Sequence, residues 1–195
     1  MSTGLVLLVG MVIIGGYIWS LYNRFVTIKT RIRASIQEIG NQLKRQADLI
    51  PNLVASVKGY MKHEKTIFDE LTEARKAVME VVGTQDSQKL IEAGARLASA
   101  LVPIRAVFES TPQLQAAGPT SKLMDALRDT PDKVMYSRRT LIHLTADYNI
   151  KVVTFPSDLV AKLLGFKPEP GLRVPEEGEH LAVEKEAIKT PRVDL

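Results

Sequence analysis

IRASIQEIGNQLKRQADLIPNLVASVKGYMKHEKTIFDELTEARKAVMEV, residues 32–81, decides how this chain folds. Taken in alternating steps of four and three, it reads Ile32, Ile36, Ile39, Leu43, Gln46, Ile50, Leu53, Val57, Tyr60, Glu64, Ile67, Leu71, Ala74, Val78 and Val81. Only Gln46 and Glu64 are polar. Such steps return a side chain to one face of an α-helix, so the stretch predicts a helix with one face buried along its length. Extended from Phe25 to Val82, the helix would be about 80 Å long at the usual rise per residue. Pro51 cannot donate to the carbonyl of Ala47, which predicts a kink. A fresh helix capped by Asp48 is the other reading, and the unbroken phase through Leu43, Ile50 and Leu53 favours the kink. Gly83 is the expected terminator.

Downstream, residues 86–109 form a second helical segment with Leu90, Leu97, Leu101, Ile104 and Phe108 near one face and a bend at Pro103. A third segment starts at Gly118-Pro119 and carries Leu123, Leu127, Val134, Leu141, Tyr148 and Phe155. Thr130-Pro131-Asp132 interrupts it with a cap-like sequence, leaving one helix or two open. A short helix from Pro156 to Leu164 closes at Gly165. Helices joined by short connections run antiparallel around a shared core. The fold class is therefore all-α: an N-terminal transmembrane helix followed by an antiparallel bundle with very long helices.

The membrane segment is residues 3–22, TGLVLLVGMVIIGGYIWSLY, which carry no charge. As a helix they span roughly 30 Å, the thickness of a bilayer's hydrocarbon core. Tyr17, Trp19 and Tyr22 gather at one end, where amphipathic rings favour the headgroup region. A cleaved signal peptide would need a basic segment before the apolar run and small residues after it. Here the positive charge comes afterwards: Arg24, Lys29, Arg31 and Arg33 all precede the first acid, Glu38. The positive-inside bias places the bundle in the cytoplasm. Residues 1–23 are thus read as the anchor and 24–166 as the bundle. Residues 167–195, rich in Pro, Glu and Lys, are read as a disordered charged tail.

Composition agrees with helices. Of 195 residues, 45% are hydrophobic but only 6% aromatic, fewer than a sheet protein wants. There is no cysteine, which excludes disulfides, thiolate metal sites, a cysteine nucleophile and a lipidated cysteine. The net charge of +4 is small, the basic residues beyond residue 37 are offset by acids, and aromatic interleaving is missing, so no nucleic-acid partner is expected.

Particular residues carry a family resemblance. Tyr22-Asn23, Leu43-Lys44-Arg45, Asp48-Leu49-Ile50-Pro51-Asn52-Leu53-Val54, Val57-Lys58-Gly59-Tyr60, His63-Glu64 and Thr72-Glu73-Ala74-Arg75 resemble the LemA family pattern in type, order and spacing. Looser matches follow at Ala106-Val107, Pro112-Gln113-Leu114, Lys133, Arg138, Tyr148-Asn149, Phe155-Pro156-Ser157 and Leu164-Gly165-Phe166. The resemblance spans about residues 20–166. Leu141-Ile142 and Pro131 depart from it, as do Ile36 and Gly40. It implies a helical bundle with very long helices behind an N-terminal membrane anchor, and no enzymatic activity.

No constellation for chemistry emerges. His63-Glu64 begins like a zinc-binding HExxH, but its fifth position is Ile67. A metal site would need His63 to meet His143 across the bundle, and none is expected. Glu64, on the apolar stripe, must be paired, protonated or at a wet contact, and Arg138 on a facing helix is a candidate partner for it. There is no nucleophile elbow and no Gly-rich phosphate loop. The candidate structural or interaction residues are Asp48, Pro51, Asn52, His63, Glu64, Arg138, Tyr148 and Asn149. The candidate lipid-contacting residues are Arg24, Lys29, Arg31 and Arg33, with Lys44 and Arg45 behind them. The expected function is a non-enzymatic scaffold or adaptor at the membrane, binding protein partners or copies of itself, with no cofactor or small-molecule substrate. The alternative is a membrane-surface binding or remodelling module, and a metal-dependent hydrolase ranks last.

Overall fold

The computed structural model describes residues 3–61 and 64–172. Among them are six helices and no strand: α1 (Thr3–Val57), α2 (Lys65–Val81), α3 (Ser87–Ser110), α4 (Pro112–Ala116), α5 (Gly118–Val153) and α6 (Ser157–Leu163).

The 55 residues of α1 are one uninterrupted helix. Its first part, up to Arg24, holds no buried residue. From Phe25 onward a stripe is buried: Ile32, Ile36, Ile39, Leu43, Ile50, Leu53 and Val57, with Gln46 and Ala47 alongside. Where α1 becomes a bundle helix the sequence changes from wholly apolar to amphipathic, and the helix itself does not change. Pro51 lies within α1 and does not end it.

The expectation of one helix from Phe25 to Val82 is corrected. The helix stops at Val57, and α2 returns along α1, since Arg75 of α2 reaches Ala47 of α1. Tyr60 and Glu64, assigned to the stripe, are exposed, while Leu71, Ala74 and Val78 are buried. The physical reason is arithmetic. Val57 and Leu71 are two heptads apart, so the connection between helices keeps the phase of a continuous helix. Gly59, a poor helix former, sits at the break.

Gly83, at φ 90°, terminates α2 in a conformation that favours glycine. Asp86 caps α3 by accepting the Lys89 N–H at 3.1 Å, a bond that holds its carboxyl below the ordinary value. α3 runs parallel to α1, with Leu90 beside Gly40 and Leu43 against Gly94. A Cβ on Gly94 would lie 2.8 Å from Leu43 Cδ2, so glycine there lets the two helices close up. α4 is a single turn that the sequence pattern did not announce; it buries Leu114. The question left by Thr130-Pro131-Asp132 resolves as one helix, because α5 continues through Pro131 for 36 residues in all. Phe25 meets Tyr148, and Leu43 lies opposite Pro131 and Val134, so α5 runs antiparallel to α1. The result is a bundle of α1, α2, α3 and α5 around one continuous core, with α6 folded onto the end from which the apolar part of α1 projects.

Candidate functional site

At that end the chain closes on itself in a clasp. Phe25 of α1 packs edge-on against Tyr148 of α5, with ring centres 6.0 Å apart. Phe166, just beyond α6, covers Phe25 at 4.9 Å and reaches Tyr22 at 6.0 Å. It is delivered there by a helix-ending turn in which Gly165 takes φ 73° and the Phe166 N–H donates to the Ala161 carbonyl at 2.9 Å.

Three residues later the backbone is pinned from both sides. Asn149 Nδ2 donates to the Glu169 carbonyl at 2.9 Å, and the Glu169 N–H donates to Asn149 Oδ1 at 2.8 Å. Only a side-chain amide offers a donor and an acceptor in this arrangement, so Asn149 pairs with Glu169 much as one strand residue pairs with another. The Glu169 carboxylate then binds Lys29 Nζ at 2.8 Å. The described chain thus continues in contact with the bundle past Lys167, where the charged tail was expected to start, as far as Leu172. Near Lys29 and Glu169 lies the Tyr148 hydroxyl, buried and without a hydrogen-bond partner among the described residues. Burial pushes its pKa up, Lys29 pulls it down, and Glu169 raises it again.

A second contact explains Pro51. The Ala47 carbonyl that Pro51 leaves free accepts a hydrogen bond from Arg75 Nε at 3.0 Å. The guanidinium replaces the missing backbone donor and ties α2 to α1 at that level.

The remaining predicted residues scatter. Asp48 is exposed and bound to Lys44 Nζ at 2.8 Å, one turn away on the same helix. Asn52 is exposed, and its carbonyl accepts the Ser56 hydroxyl. Arg138 is also exposed and lines a cleft of about 260 Å³ with Leu43, Gln46 and Pro131, far along α1 from Glu64. Of the alternatives for Glu64, the pairing with Arg138 is corrected and the wet one holds: Glu64 is exposed at the head of α2 because the turn at 58–60 takes it off the buried stripe. His63 and His180 lie outside the described residues, and His143 is exposed on α5. Of the basic set, Lys29 is bound to Glu169, while Arg24 and Arg31 line a groove with Asp147 and Lys151. Arg33, Lys44 and Arg45 are exposed. Sequence reasoning missed Glu169, whose neighbours read as tail, and Arg75, although the carbonyl freed by Pro51 called for an outside donor.

A model of the LemA family matches residues 35–185, well over half of the chain. The chain belongs to the LemA family. The LemA match takes in Asp48, Pro51, Asn52, Arg75, Tyr148, Asn149 and Glu169, and starts beyond the apolar segment and Arg33. Among curated proteins, the magnetosome protein MamQ of Magnetospirillum gryphiswaldense is 25% identical over 169 residues, covering 75% of this chain. The magnetosome proteins MamQ 1 and MamQ 2 of Paramagnetospirillum magneticum are 23% identical over the same length. The chain spans 62% of the length of these relatives. As a LemA protein it is a membrane-associated helical protein, with one helix long and apolar enough to cross a bilayer.

Proposed function

We propose that this protein is a non-enzymatic scaffold anchored by a single membrane pass, with its bundle on the cytoplasmic side, holding protein partners or further copies of itself at the membrane. One observation carries the reading: the apolar segment and the central bundle helix are the same helix, so the anchor fixes the bundle with no linker between them. The orientation rests on Arg24, Lys29, Arg31 and Arg33, which follow the apolar run directly. The names of the relatives state a location, in keeping with a role in assembly. Purification of the full chain in mild detergent should yield a stoichiometric complex or a defined homo-oligomer. A lone monomer across several detergents would overturn the reading.

A membrane-surface role for the basic residues has one supporting feature, the groove in which Arg24, Arg31 and Lys151 converge between α1 and α5. The engagement of Lys29 by Glu169 weighs against it. Basic residues near an anionic surface each contribute about 1 kcal/mol, lost as salt rises. Flotation of residues 24–172 with acidic liposomes at low and high salt separates the two: binding only at low salt favours the surface role.

A further inference from the structure

The end of the bundle next to the apolar segment carries large hydrophobic side chains that none of the described residues covers. Phe155 is 76% exposed, Leu159 58% and Leu163 75%. Leu159 and Leu163 are one turn apart and share the outer face of α6, while Val160 and Ala161 are buried on its inner face. Val153, the last residue of α5, is 66% exposed. A short helix buried on one face and greasy on the other needs a second apolar neighbour.

Height along α1 identifies that neighbour. Tyr148 lies against Phe25, and α5 runs antiparallel to α1. The five residues from Tyr148 to Val153 carry α5 about 7 Å further, level with Ser20–Tyr22, where the apolar segment ends in Trp19 and Tyr22. Phe166 touches both Phe25 and Tyr22, which holds α6 at the same height. Cations lie near this apolar patch: Lys167 is exposed just beyond the helix, Lys151 and Arg24 line a groove that also holds Asp147, and the exposed Lys162 is paired with Asp158 at 3.0 Å. The arrangement is an apolar face rimmed by cations beside the start of a membrane span.

We propose that α6 and the turn before it form a lipid-binding foot: Phe155, Leu159 and Leu163 enter the interfacial layer of the same bilayer that α1 crosses. Anionic phosphate headgroups gather at Lys151 and Lys167, while Lys162 stays with Asp158. The occupant is the lipid surface because the patch is continuous with the membrane-crossing surface of α1 and complementary in charge to anionic headgroups. The foot fixes the angle at which the bundle leaves the membrane, because a helix anchored at one point swings and one braced at two does not. This inference rests on the membrane-span reading of α1.

The absence of cysteine permits a direct test. Single variants Leu159→Cys and Leu163→Cys, with Val12→Cys in the apolar segment and Tyr60→Cys at the far end, are labelled with an environment-sensitive fluorophore. All four residues are exposed, so the bundle core is untouched. The full chain is reconstituted in vesicles of equal parts phosphatidylcholine and phosphatidylglycerol containing a lipid with a nitroxide near its headgroup, and for position 12 in matching vesicles whose nitroxide lies deep in the acyl chain. Quenching at positions 159 and 163 at least about twofold above that at position 60 is the expected result for side chains in the interface. Quenching there no greater than at position 60, with position 12 still quenched, overturns the foot and leaves the span intact. Loss of quenching at position 12 as well brings down the span, and the foot with it. Labels shielded from aqueous iodide yet untouched by the nitroxide lipid mean that protein covers the patch, which also overturns the proposal.

Discussion

The two parts of α1 are continuous in backbone and opposite in dependence. Up to Arg24 it carries apolar side chains on every side and buries none, whereas from Phe25 to Val57 it confines them to a stripe and buries that stripe. The second part is satisfied by α2, α3 and α5, while the first is long and apolar enough to be satisfied by lipid. The same backbone hydrogen-bond ladder serves in both solvents, because a helix satisfies its own polar groups wherever it lies. What changes across Phe25 is side-chain pattern alone.

Substitutions that deny each part its solvent break this comparison most sharply. Ile39 is fully buried, so Ile39→Ala should lower the bundle's unfolding free energy by about 2–5 kcal/mol, while Leu8→Ala should leave it within about 0.5 kcal/mol. Denaturant unfolding in detergent micelles reads both. The converse is Val9→Arg, which should disfavour membrane insertion by about 2.5–3.5 kcal/mol and spare the bundle. Carbonate extraction of membranes followed by circular dichroism separates those two effects.

Smaller effects sharpen the account of the buried part. Arg75→Met should cost about 1–3 kcal/mol by orphaning the Ala47 carbonyl. In a Pro51→Ala background the restored N–H can take that carbonyl, so the same change should cost clearly less; an equal cost in both backgrounds would refute the link. Tyr148 gives a pH signature. Its folded pKa is raised, so its contribution is complete below the ordinary tyrosine value of 10.0 and is lost as the pH rises through the folded value. Alkaline unfolding should therefore begin earlier in the parent than in Tyr148→Phe, which should be near neutral at pH 7 because the hydroxyl has no partner among the described residues. Gly94→Ala should change least: the helix gains up to about 1 kcal/mol in propensity and loses a similar amount as the tip of Leu43 shifts aside. A loss well beyond that would mean that the α1–α3 contact is more rigid than a leucine tip allows.

How much of this was legible depended on the range of each interaction. The stripe from Ile32 to Val57 could be read directly because helical periodicity is local, as could the start of α3 near Asp86 and the stop at Gly83. The turn between α1 and α2 was hidden because its length preserves phase, and that hidden turn misassigned Tyr60 and Glu64. Pro51 was legible only in part: the orphaned carbonyl followed from proline chemistry, but the donor lies 28 residues away. Asn149 was singled out by resemblance, yet nothing local tied it to Glu169, whose surroundings have the composition of a solvated tail. Contacts between distant segments are set by the packed bundle, and one sequence does not display them.

The unbroken passage of α1 from the apolar segment into the bundle makes the protein a lever. From Phe25 to Val57 the arm is about 50 Å long. A tilt of about 20° in the span, ordinary for a membrane helix, sweeps the far turn sideways by about 17 Å. In the proposed single-pass arrangement this is the swing that the lipid-binding foot restrains, so contacts near Leu159 and Leu163 bear on where the bundle's outer end lies.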